Sequence, residues 1–151
     1  MMNLFEEFFG IIHAFEEHGI RYAVIGGFAM GFHDVIRATK DIDLLILLDD
    51  IDAVPPILEA LSYRPSGSPF TFSDSRLTLH RYVRYFGEQY SMLDLLVGAE
   101  ERYRQVVTNA EVHDPGNGPV RIARKEDIIT LKLMRNSEQD RIDIKRLKGE
   151  E

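Results

Sequence analysis

The sequence predicts an α+β (or α/β) fold, with a mixed β-sheet flanked by helices and a short helical lobe at the C-terminus. Its 151 residues suit about one domain, and 44% of them are hydrophobic, enough to form a packed core. Short apolar runs typical of strands alternate with amphipathic stretches typical of helices. Residues 1–151 contain no long linker, so we expect a single domain, with a core over about 20–97 and a helical segment over about 124–148.

The N-terminal part is predicted to begin with a helix that covers the core. Apolar residues recur at helical spacing between Leu4 and Phe15, and Gly19 suits the left-handed residue that ends a helix. Residues 22–25 form a short apolar run that predicts a strand, and a short helix is expected to follow it up to Asp34.

A buried strand and a helix are predicted next. Residues 41–48 are almost all apolar after the first few positions, which predicts a strand buried on both faces. The stretch from Asp49 to Ser62 predicts a helix, because Pro55 and Pro56 are tolerated in a first helical turn.

Two longer strands are predicted at 76–86 and 91–97, joined by a turn at Gly87 and Glu88. The first of them carries basic side chains, which we expect at a solvated hairpin, with an acceptor- or RNA-contacting rim as the alternative. These side chains belong to Arg76, His80, Arg81 and Arg84.

The remaining chain is predicted to be mostly helical. A helix near 100–108 and a turn-rich loop at 113–119 precede two short helices, over about 125–134 and 137–148. Ser137 suits the N-cap of the last helix, and Asp140 stands three residues later, where a carboxylate can complete a capping box.

Composition excludes several classes of function. The chain has no cysteine, which excludes disulfides, thiol catalysis and cysteine-based metal sites. Its net charge of −7 argues against bulk binding of DNA through positive charge. No apolar run approaches the roughly 20 residues that span a bilayer. The N-terminus is acidic where a signal peptide is basic, so we expect a cytoplasmic protein without a membrane partner.

The charge is unevenly distributed along the chain. Residues 1–120 carry nine basic and eighteen acidic side chains, whereas residues 121–148 carry nine basic and five acidic ones. A basic C-terminal arm on an acidic body suits an anionic ligand, although a solvated helix face with ordinary ion pairs gives the same pattern.

Three aspartates carry the strongest chemical signal. Asp41 and Asp43 stand two residues apart at the start of a predicted strand, so their side chains point to the same face. Asp94 stands alone in an apolar strand, where a carboxylate is costly unless a metal ion or a buried arginine satisfies it. If these strands are neighbours, the three carboxylates suit Mg²⁺ or Mn²⁺. A solvated strand end is the alternative for the first pair.

Two flanking features suit a phosphate ligand. Gly26 and Gly27 stand between a strand and a helix, where backbone N–H groups can approach an anion without a Cβ in the way. A plain strand–helix turn has the same sequence. Arg37, Thr39 and Lys40 directly precede the first aspartate, and the two cations can hold phosphates or neutralise the carboxylates.

The run YAVIGGFAMGFHDVIRATKDIDLLI with a later isolated aspartate resembles the nucleotidyltransferase superfamily typified by DNA polymerase β. It is most similar to the minimal bacterial members, including AbiE-type toxins and small antibiotic nucleotidyltransferases. The resemblance covers about residues 20–148 and implies a nucleotidyltransferase-type sheet. The matching residues are, in order, Gly26, Gly27, Arg37, Thr39, Asp41, Asp43 and Asp94.

The resemblance implies a magnesium-dependent enzyme that transfers NMP from a nucleoside triphosphate, ATP among them, to an acceptor hydroxyl and releases pyrophosphate. Asp41, Asp43 and Asp94 would be metal ligands and catalytic residues, with Asp94 also helping to deprotonate the acceptor. Lys132 resembles a helix lysine that approaches the nucleotide in these enzymes. Together with Arg135 it would meet the triphosphate, and an exposed helix lysine is the alternative.

The sequence departs from the family pattern at Gly27, where many members have a serine whose hydroxyl contacts the triphosphate. The resemblance leaves the acceptor open among RNA, protein and small molecules, and it includes toxins that pair with an antitoxin. A non-catalytic nucleotide- or partner-binding domain that keeps the fold is the alternative function. A glycosyltransferase with a D-x-D motif and Mn²⁺ is disfavoured because such enzymes need a larger domain.

Overall fold

A computed structural model describes residues 2–35 and 40–150 of the chain. Within these ranges it has six α-helices and eight β-strands that form one mixed sheet, which confirms the predicted α+β class. The helices are α1 Leu4–Glu17, α2 Gly26–Phe32, α3 Val54–Ala60, α4 Glu101–Thr108, α5 Lys125–Arg135 and α6 Glu138–Leu147. The strands are β1 Tyr22–Ile25, β2 Asp41–Leu47, β3 Arg64–Pro65, β4 Phe70–Thr71, β5 Thr78–Phe86, β6 Gln89–Gly98, β7 Glu111–His113 and β8 Val120–Ile122.

The sheet has the strand order β3-β5-β6-β2-β1-β8-β7, and β4 pairs with β5 beside β3. The pairs β2–β6 and β1–β8 are parallel, whereas the other pairs are antiparallel. The central strands β1, β2 and β6 are the most apolar ones, because both faces of the sheet are covered there. This arrangement makes the two aspartate-bearing strands direct neighbours.

Helix α1 covers the core as its apolar spacing predicts. Its buried face consists of Phe8, Ile11, Ile12 and Phe15, and the ring of Phe8 stacks on that of Phe28 at a centroid distance of 4.3 Å. After the helix, Gly19 adopts a φ of +68°, the left-handed conformation expected at this position. The aromatic contact holds α2, and therefore the Gly-Gly turn at its start, against α1.

Two predicted elements have different bounds in the structure. The predicted helix from Asp49 to Ser62 is a 3₁₀-helix at Leu48–Ala53 followed by α3, with the two prolines in the first turn of α3. The strand predicted from Arg76 starts two residues later, because Arg76 has a left-handed φ of +61° in a tight turn. The turn is closed by the N–H of Arg76, which donates to the carbonyl of Phe72 at 2.8 Å.

The C-terminal helices follow the prediction closely. Ser137 caps α6, and its side chain and that of Asp140 form the reciprocal bonds of a capping box. The predicted loop at 113–119 lies between β7 and β8, which the sequence did not predict because three-residue strands are too short to show alternation. No helix within the described ranges is long and apolar enough to cross a membrane.

Candidate active site

The three predicted aspartates lie close together because β2 and β6 are parallel neighbours. The register sets Asp43 opposite Asp94, and Asp41 opposite Met92. Residues that face each other on adjacent strands lie about 4.8 Å apart and project from the same face of the sheet. Asp41 shares that face, since it is two residues from Asp43. We call Asp41, Asp43 and Asp94 the carboxylate cluster.

Only glycine fits at position 26, because the carboxylate cluster lies directly beside it. Gly26 has a φ of +73°, and a Cβ at this position would lie 2.3 Å from Oδ2 of Asp43. Both the backbone conformation and the missing side chain are therefore needed here. Strand β1 ends beside the cluster, with Ile25 opposite Asp43, so that Gly26 and Gly27 border the carboxylates directly.

The cluster lines a cavity of about 740 Å³. The sheet and the Gly-Gly turn form its floor, helix α5 forms one wall, and the segment 70–75 with Leu77 forms another. The polar and charged residues that line the cavity are Asp41, Asp43, Thr71, Ser73, Asp74, Ser75, Arg81, Asp94, Lys132 and Arg135.

Asp94 has a cationic partner, Arg81, whose guanidinium binds the carboxylate with two hydrogen bonds. Nε donates to Oδ1 at 2.7 Å and Nη2 donates to Oδ2 at 3.0 Å. The side chain of Arg81 is 44% exposed, so the solvated hairpin predicted for it is compatible with this ion pair. Arg84 is 35% exposed and binds Glu7 at 3.2 Å. The partner of Asp94 is thus an arginine, as one alternative had it, but a partly exposed arginine and not a buried one.

The turn between β5 and β6 could have identified Arg81 as the partner of Asp94. A two-residue turn at Gly87 and Glu88 sets Phe86 opposite Gln89. Counting five residues back on one strand and five forward on the other brings Arg81 opposite Asp94, as the observed register does. Both strands and the turn are predicted from the sequence, but the partner of Asp94 follows only when the register is counted along the hairpin.

The carboxylate cluster contains more negative charge than its neighbours neutralise. Burial and the negative charges of Asp94 and Asp41 raise the pKa of Asp43 to about 7, although Arg135 and Lys132 oppose this change. Burial and the charge of Asp94 also raise the pKa of Asp41. A divalent cation would relieve this repulsion, and carboxylate oxygens are the ligands that Mg²⁺ prefers.

As the side chains stand, no three His, Asp or Glu residues in the described part of the chain are grouped to hold a metal ion. Both oxygens of Asp94 accept hydrogen bonds from Arg81 instead. The donor set nevertheless fits magnesium, since the ligands are oxygens, the charge is in excess and all three carboxylates line a cavity.

Lys132 and Arg135 on α5 line the same cavity, and their charges act on Asp43. The alternative of an exposed lysine is wrong, because Lys132 is only 6% exposed. Its Nζ lies 3.0 Å from Oδ2 of Asp143 and 3.8 Å from Oδ1 of Asp140. Arg135 forms a two-bond ion pair with Asp140, at 2.8 and 2.5 Å. Both cations thus face the cavity while paired with acids of α6.

Asp140 and Asp143 are fully buried on α6 and form the acidic half of this pairing. Burial alone would raise the pKa of Asp140. The hydrogen bonds from Arg135 and from the backbone and hydroxyl of Ser137 outweigh it and hold the pKa well below its usual range. The helices α5 and α6 are therefore joined by a nearly neutral charge network of two cations and two carboxylates.

The remaining predicted phosphate ligands precede β2. Arg37 and Thr39 lie outside the described residues, so their predicted role stays a prediction. Lys40 is exposed, and its charge lowers the pKa of Asp41 against the effect of burial. Its position next to the cluster suits either of its predicted roles, phosphate binding or charge neutralisation.

No family model and no curated protein matches this chain. Solved structures of similar fold cover most of it. The lincosamide antibiotic adenylyltransferase LnuA with bound lincomycin is 18% identical, with a TM-score of 0.66 over 95% of each chain. An antigenic nucleotidyltransferase-like protein from Paracoccidioides brasiliensis is 20% identical, with a TM-score of 0.62 over 95% of this chain and 74% of that one.

A third similar structure is ANT(2″)-Ia in complex with adenylyl-2″-tobramycin. It is 20% identical, with a TM-score of 0.56 over 91% of this chain and 83% of that one. Similarity at this level of identity establishes the fold. The chain therefore has the nucleotidyltransferase fold, as the sequence resemblance predicts.

Proposed function

We propose that this protein is a metal-dependent nucleotidyltransferase, which transfers NMP from a nucleoside triphosphate to an acceptor hydroxyl and releases pyrophosphate. The observation that carries the proposal is the register of β2 and β6, which sets Asp43 opposite Asp94 in a cavity and leaves negative charge uncompensated there. The nucleotidyltransferase fold of the chain supports the same chemistry.

Asp41, Asp43 and Asp94 would hold the metal, as Mg²⁺ or Mn²⁺. When bound, a divalent cation offsets the charge of the phosphates and makes the α-phosphorus easier to attack. The three side chains share one face of the sheet, and Gly26 keeps the space beside Asp43 free of a Cβ.

In the reaction, the acceptor oxygen forms a bond to the α-phosphorus while the bond from that phosphorus to the bridging oxygen of pyrophosphate breaks. Asp94 is the residue proposed to take the proton from the acceptor hydroxyl, since a carboxylate on the central strand β6 can lie within hydrogen-bond reach of a bound acceptor. The remaining catalysis is positioning and stabilisation of charge by fixed groups.

The triphosphate is proposed to lie between the Gly-Gly turn and helix α5. Gly26 and Gly27 leave the backbone accessible to an anion. An ammonium has three donors, so Lys132 can keep its bond to Asp143 and still donate to a phosphate oxygen. Arg135 adds positive charge from the same helix, and Arg37, Thr39 and Lys40 are proposed to contribute from the segment before β2.

The opposite wall of the cavity is proposed to bind the acceptor. Phe70 is 58% exposed there, and its ring lies edge-on to that of Phe72 at 5.0 Å. Asp74 lines the same wall. An apolar surface beside a carboxylate suits a small hydroxyl compound with a positive charge, and two of the similar structures contain lincomycin and an adenylylated tobramycin.

The test measures transfer of radiolabelled NMP from each of the four α-labelled triphosphates with Mg²⁺ or Mn²⁺. The acceptors are hydroxylated small cations, total RNA and proteins. We expect transfer to one acceptor class by the wild type and none by a variant with both Asp41→Asn and Asp43→Asn. Asp52→Asn is the matched control, because Asp52 is exposed in the 3₁₀-helix away from the cavity.

Equal signals from the wild type and the double variant with every acceptor would contradict the proposal. Tight binding of a triphosphate without any transfer would instead favour the non-catalytic alternative. Transfer to RNA or protein, together with growth arrest on expression, would favour a toxin with an antitoxin partner. Transfer to a small cation would favour the acceptor site at Phe70 and Phe72.

A further inference from the structure

We propose that Arg81 is a positioning residue that competes with the metal ion for Asp94. In this view, Asp94 is held by Arg81 in the metal-free protein, and the ion must displace the guanidinium before Asp94 completes the site. The inference rests on the proposed function, because it concerns the same metal site.

The geometry of the pair makes Arg81 an effective competitor. Its two donors bind the two carboxylate oxygens of Asp94 at 2.7 and 3.0 Å, a fork that matches the carboxylate. The facing register of β5 and β6 holds the two residues opposite each other. The side chain of Asp94 is only 12% exposed, so water offers it little alternative solvation.

Arg81 also acts on the other two members of the carboxylate cluster. Its charge lowers the pKa of Asp41. Its own pKa is raised, first by the hydrogen bond and charge of Asp94 and further by the charges of Asp41 and Asp43. The charge of Arg81 therefore reaches the other two carboxylates as well, which adds only a small repulsion of the metal ion to the competition for Asp94.

Release of Asp94 need not leave Arg81 without a partner. Its side chain lines the cavity and is 44% exposed, so it is not locked in place by packing. A guanidinium binds phosphate with the same two-donor fork that it uses for carboxylate. We therefore infer an exchange in which the ion takes Asp94 while Arg81 moves to the triphosphate, so that metal and nucleotide bind cooperatively.

The experiment measures Mn²⁺ affinity by electron paramagnetic resonance without nucleotide, for the wild type, Arg81→Met, Arg81→Lys, Asp94→Asn and the double variant Arg81→Met with Asp94→Asn. We expect Arg81→Met to bind Mn²⁺ about tenfold more tightly, because a charge-assisted pair no longer has to be broken. Arg81→Lys keeps the charge but loses the fork, so its affinity should lie between the two.

The double variant shows whether Arg81 affects Mn²⁺ affinity through its ion pair with Asp94 or through its positive charge alone. In the Asp94→Asn background, we expect Arg81→Met to change Mn²⁺ affinity less than about threefold. Arg84→Met is the matched control, because Arg84 lies on the same strand but pairs with Glu7. Its Mn²⁺ affinity should equal that of the wild type, and thermal unfolding shows that each variant is folded.

A second measurement follows the coupling. In the wild type, a non-hydrolysable triphosphate should tighten Mn²⁺ binding more than it does in Arg81→Met. Unchanged or weaker Mn²⁺ binding by Arg81→Met would overturn the inference. An equal gain in Mn²⁺ affinity from Arg81→Met in the wild-type and Asp94→Asn backgrounds would overturn it too. If Asp43→Asn weakens Mn²⁺ binding while Arg81→Met has no effect, only this inference fails. If Asp43→Asn has no effect either, the proposed metal site fails.

Discussion

The carboxylate cluster on the sheet and the helical hairpin of α5 and α6 hold acidic side chains in opposite electrostatic settings. In the hairpin, Asp140 and Asp143 are fully buried, and Arg135 and Lys132 pair with them. In the cluster, three carboxylates share the charge of Arg81, and the pKa of Asp43 is raised to about 7. The hairpin is electrostatically complete without a ligand, whereas the cluster is not.

This difference separates a structural use of buried charge from a functional one. A buried carboxylate with a matched cation stabilises one arrangement of two helices. A group of carboxylates in excess of its cations destabilises the protein unless another positive charge arrives. The comparison therefore predicts which substitutions impair folding and which impair activity alone.

The largest effect is expected for Asp43→Asn. Activity should fall about a thousandfold or more, because a proposed metal ligand is lost. The metal-free variant should be as stable as the wild type or more stable, since a repelled buried carboxylate is removed. NMP transfer and thermal unfolding with EDTA measure the two effects, with Asp52→Asn as the control. A large loss of stability in Asp43→Asn would show that the cluster is structural.

The opposite result is expected for Asp143→Asn in the hairpin. It should lower the free energy of unfolding by about 3 kcal/mol, because buried Lys132 loses the partner at 3.0 Å. Chemical denaturation measures the change, and Glu138→Gln on the exposed side of α6 should stay within about 0.5 kcal/mol of the wild type.

Replacing both members of this pair, Lys132→Met with Asp143→Leu, sharpens the test. An apolar pair leaves no unpaired charge, so the double variant should be more stable than Asp143→Asn alone. If Asp143→Asn and Glu138→Gln have the same stability, the buried network does not hold the hairpin together.

A smaller effect is expected for Gly26→Ala. The substitution forces a left-handed φ on alanine and pushes the side chain of Asp43, which should lower stability by about 2 kcal/mol and impair activity. Gly31→Ala in the same helix is the matched control. A Cβ at Gly31 meets no atom within 4 Å, so that variant should be as stable as the wild type or slightly more stable. Equal behaviour of the two variants would contradict the close contact at Asp43.

The two regions should also respond oppositely to pH in the metal-free protein. The pKa of Asp140 is lowered on folding, so its contribution to stability is present above its unfolded pKa of about 3.9 and is lost on further acidification. The pKa of Asp43 is raised to about 7, so the protein gains stability as the pH falls from above 7 towards 4.

Thermal unfolding between pH 8 and pH 3 with EDTA measures both responses. In Asp43→Asn, the stability should no longer rise between pH 8 and pH 4, but it should still fall below pH 4. Asp140→Asn should be less stable at neutral pH and show a shallower acid fall. If the rise in stability between pH 8 and pH 4 persists in Asp43→Asn, it is caused by another titrating group.

Much of the fold could be predicted because its central elements carry strong local signals. The apolar run at 41–48, the hairpin turn at Gly87 and the capping box at Ser137 all depend on residues close in sequence. The two-residue strands β3 and β4 and the three-residue strands β7 and β8 could not be predicted, because runs this short show no alternation of apolar and polar residues. Strand β8 also pairs with β1, which lies far away in the sequence.

The candidate site was predictable where a residue's type is unusual in its context. A lone aspartate in an apolar strand and a D-x-D pair both stand out, and the structure sets Asp43 and Asp94 side by side. The partners of these acids were harder to predict. To identify Arg81 as the partner of Asp94, the register of the β5–β6 hairpin had to be known. The burial of Lys132 depends on how α6 packs against α5, which no local pattern encodes.

The most direct test of the proposed site is a crystal structure of the protein with Mn²⁺ and a triphosphate whose α–β bridge cannot be cleaved. We expect anomalous Mn²⁺ density at Asp41 and Asp43, with Asp94 released from Arg81, and phosphates between Gly26 and α5. Nucleotide bound elsewhere, or no Mn²⁺ at these carboxylates while Asp94 stays paired with Arg81, would contradict this expectation.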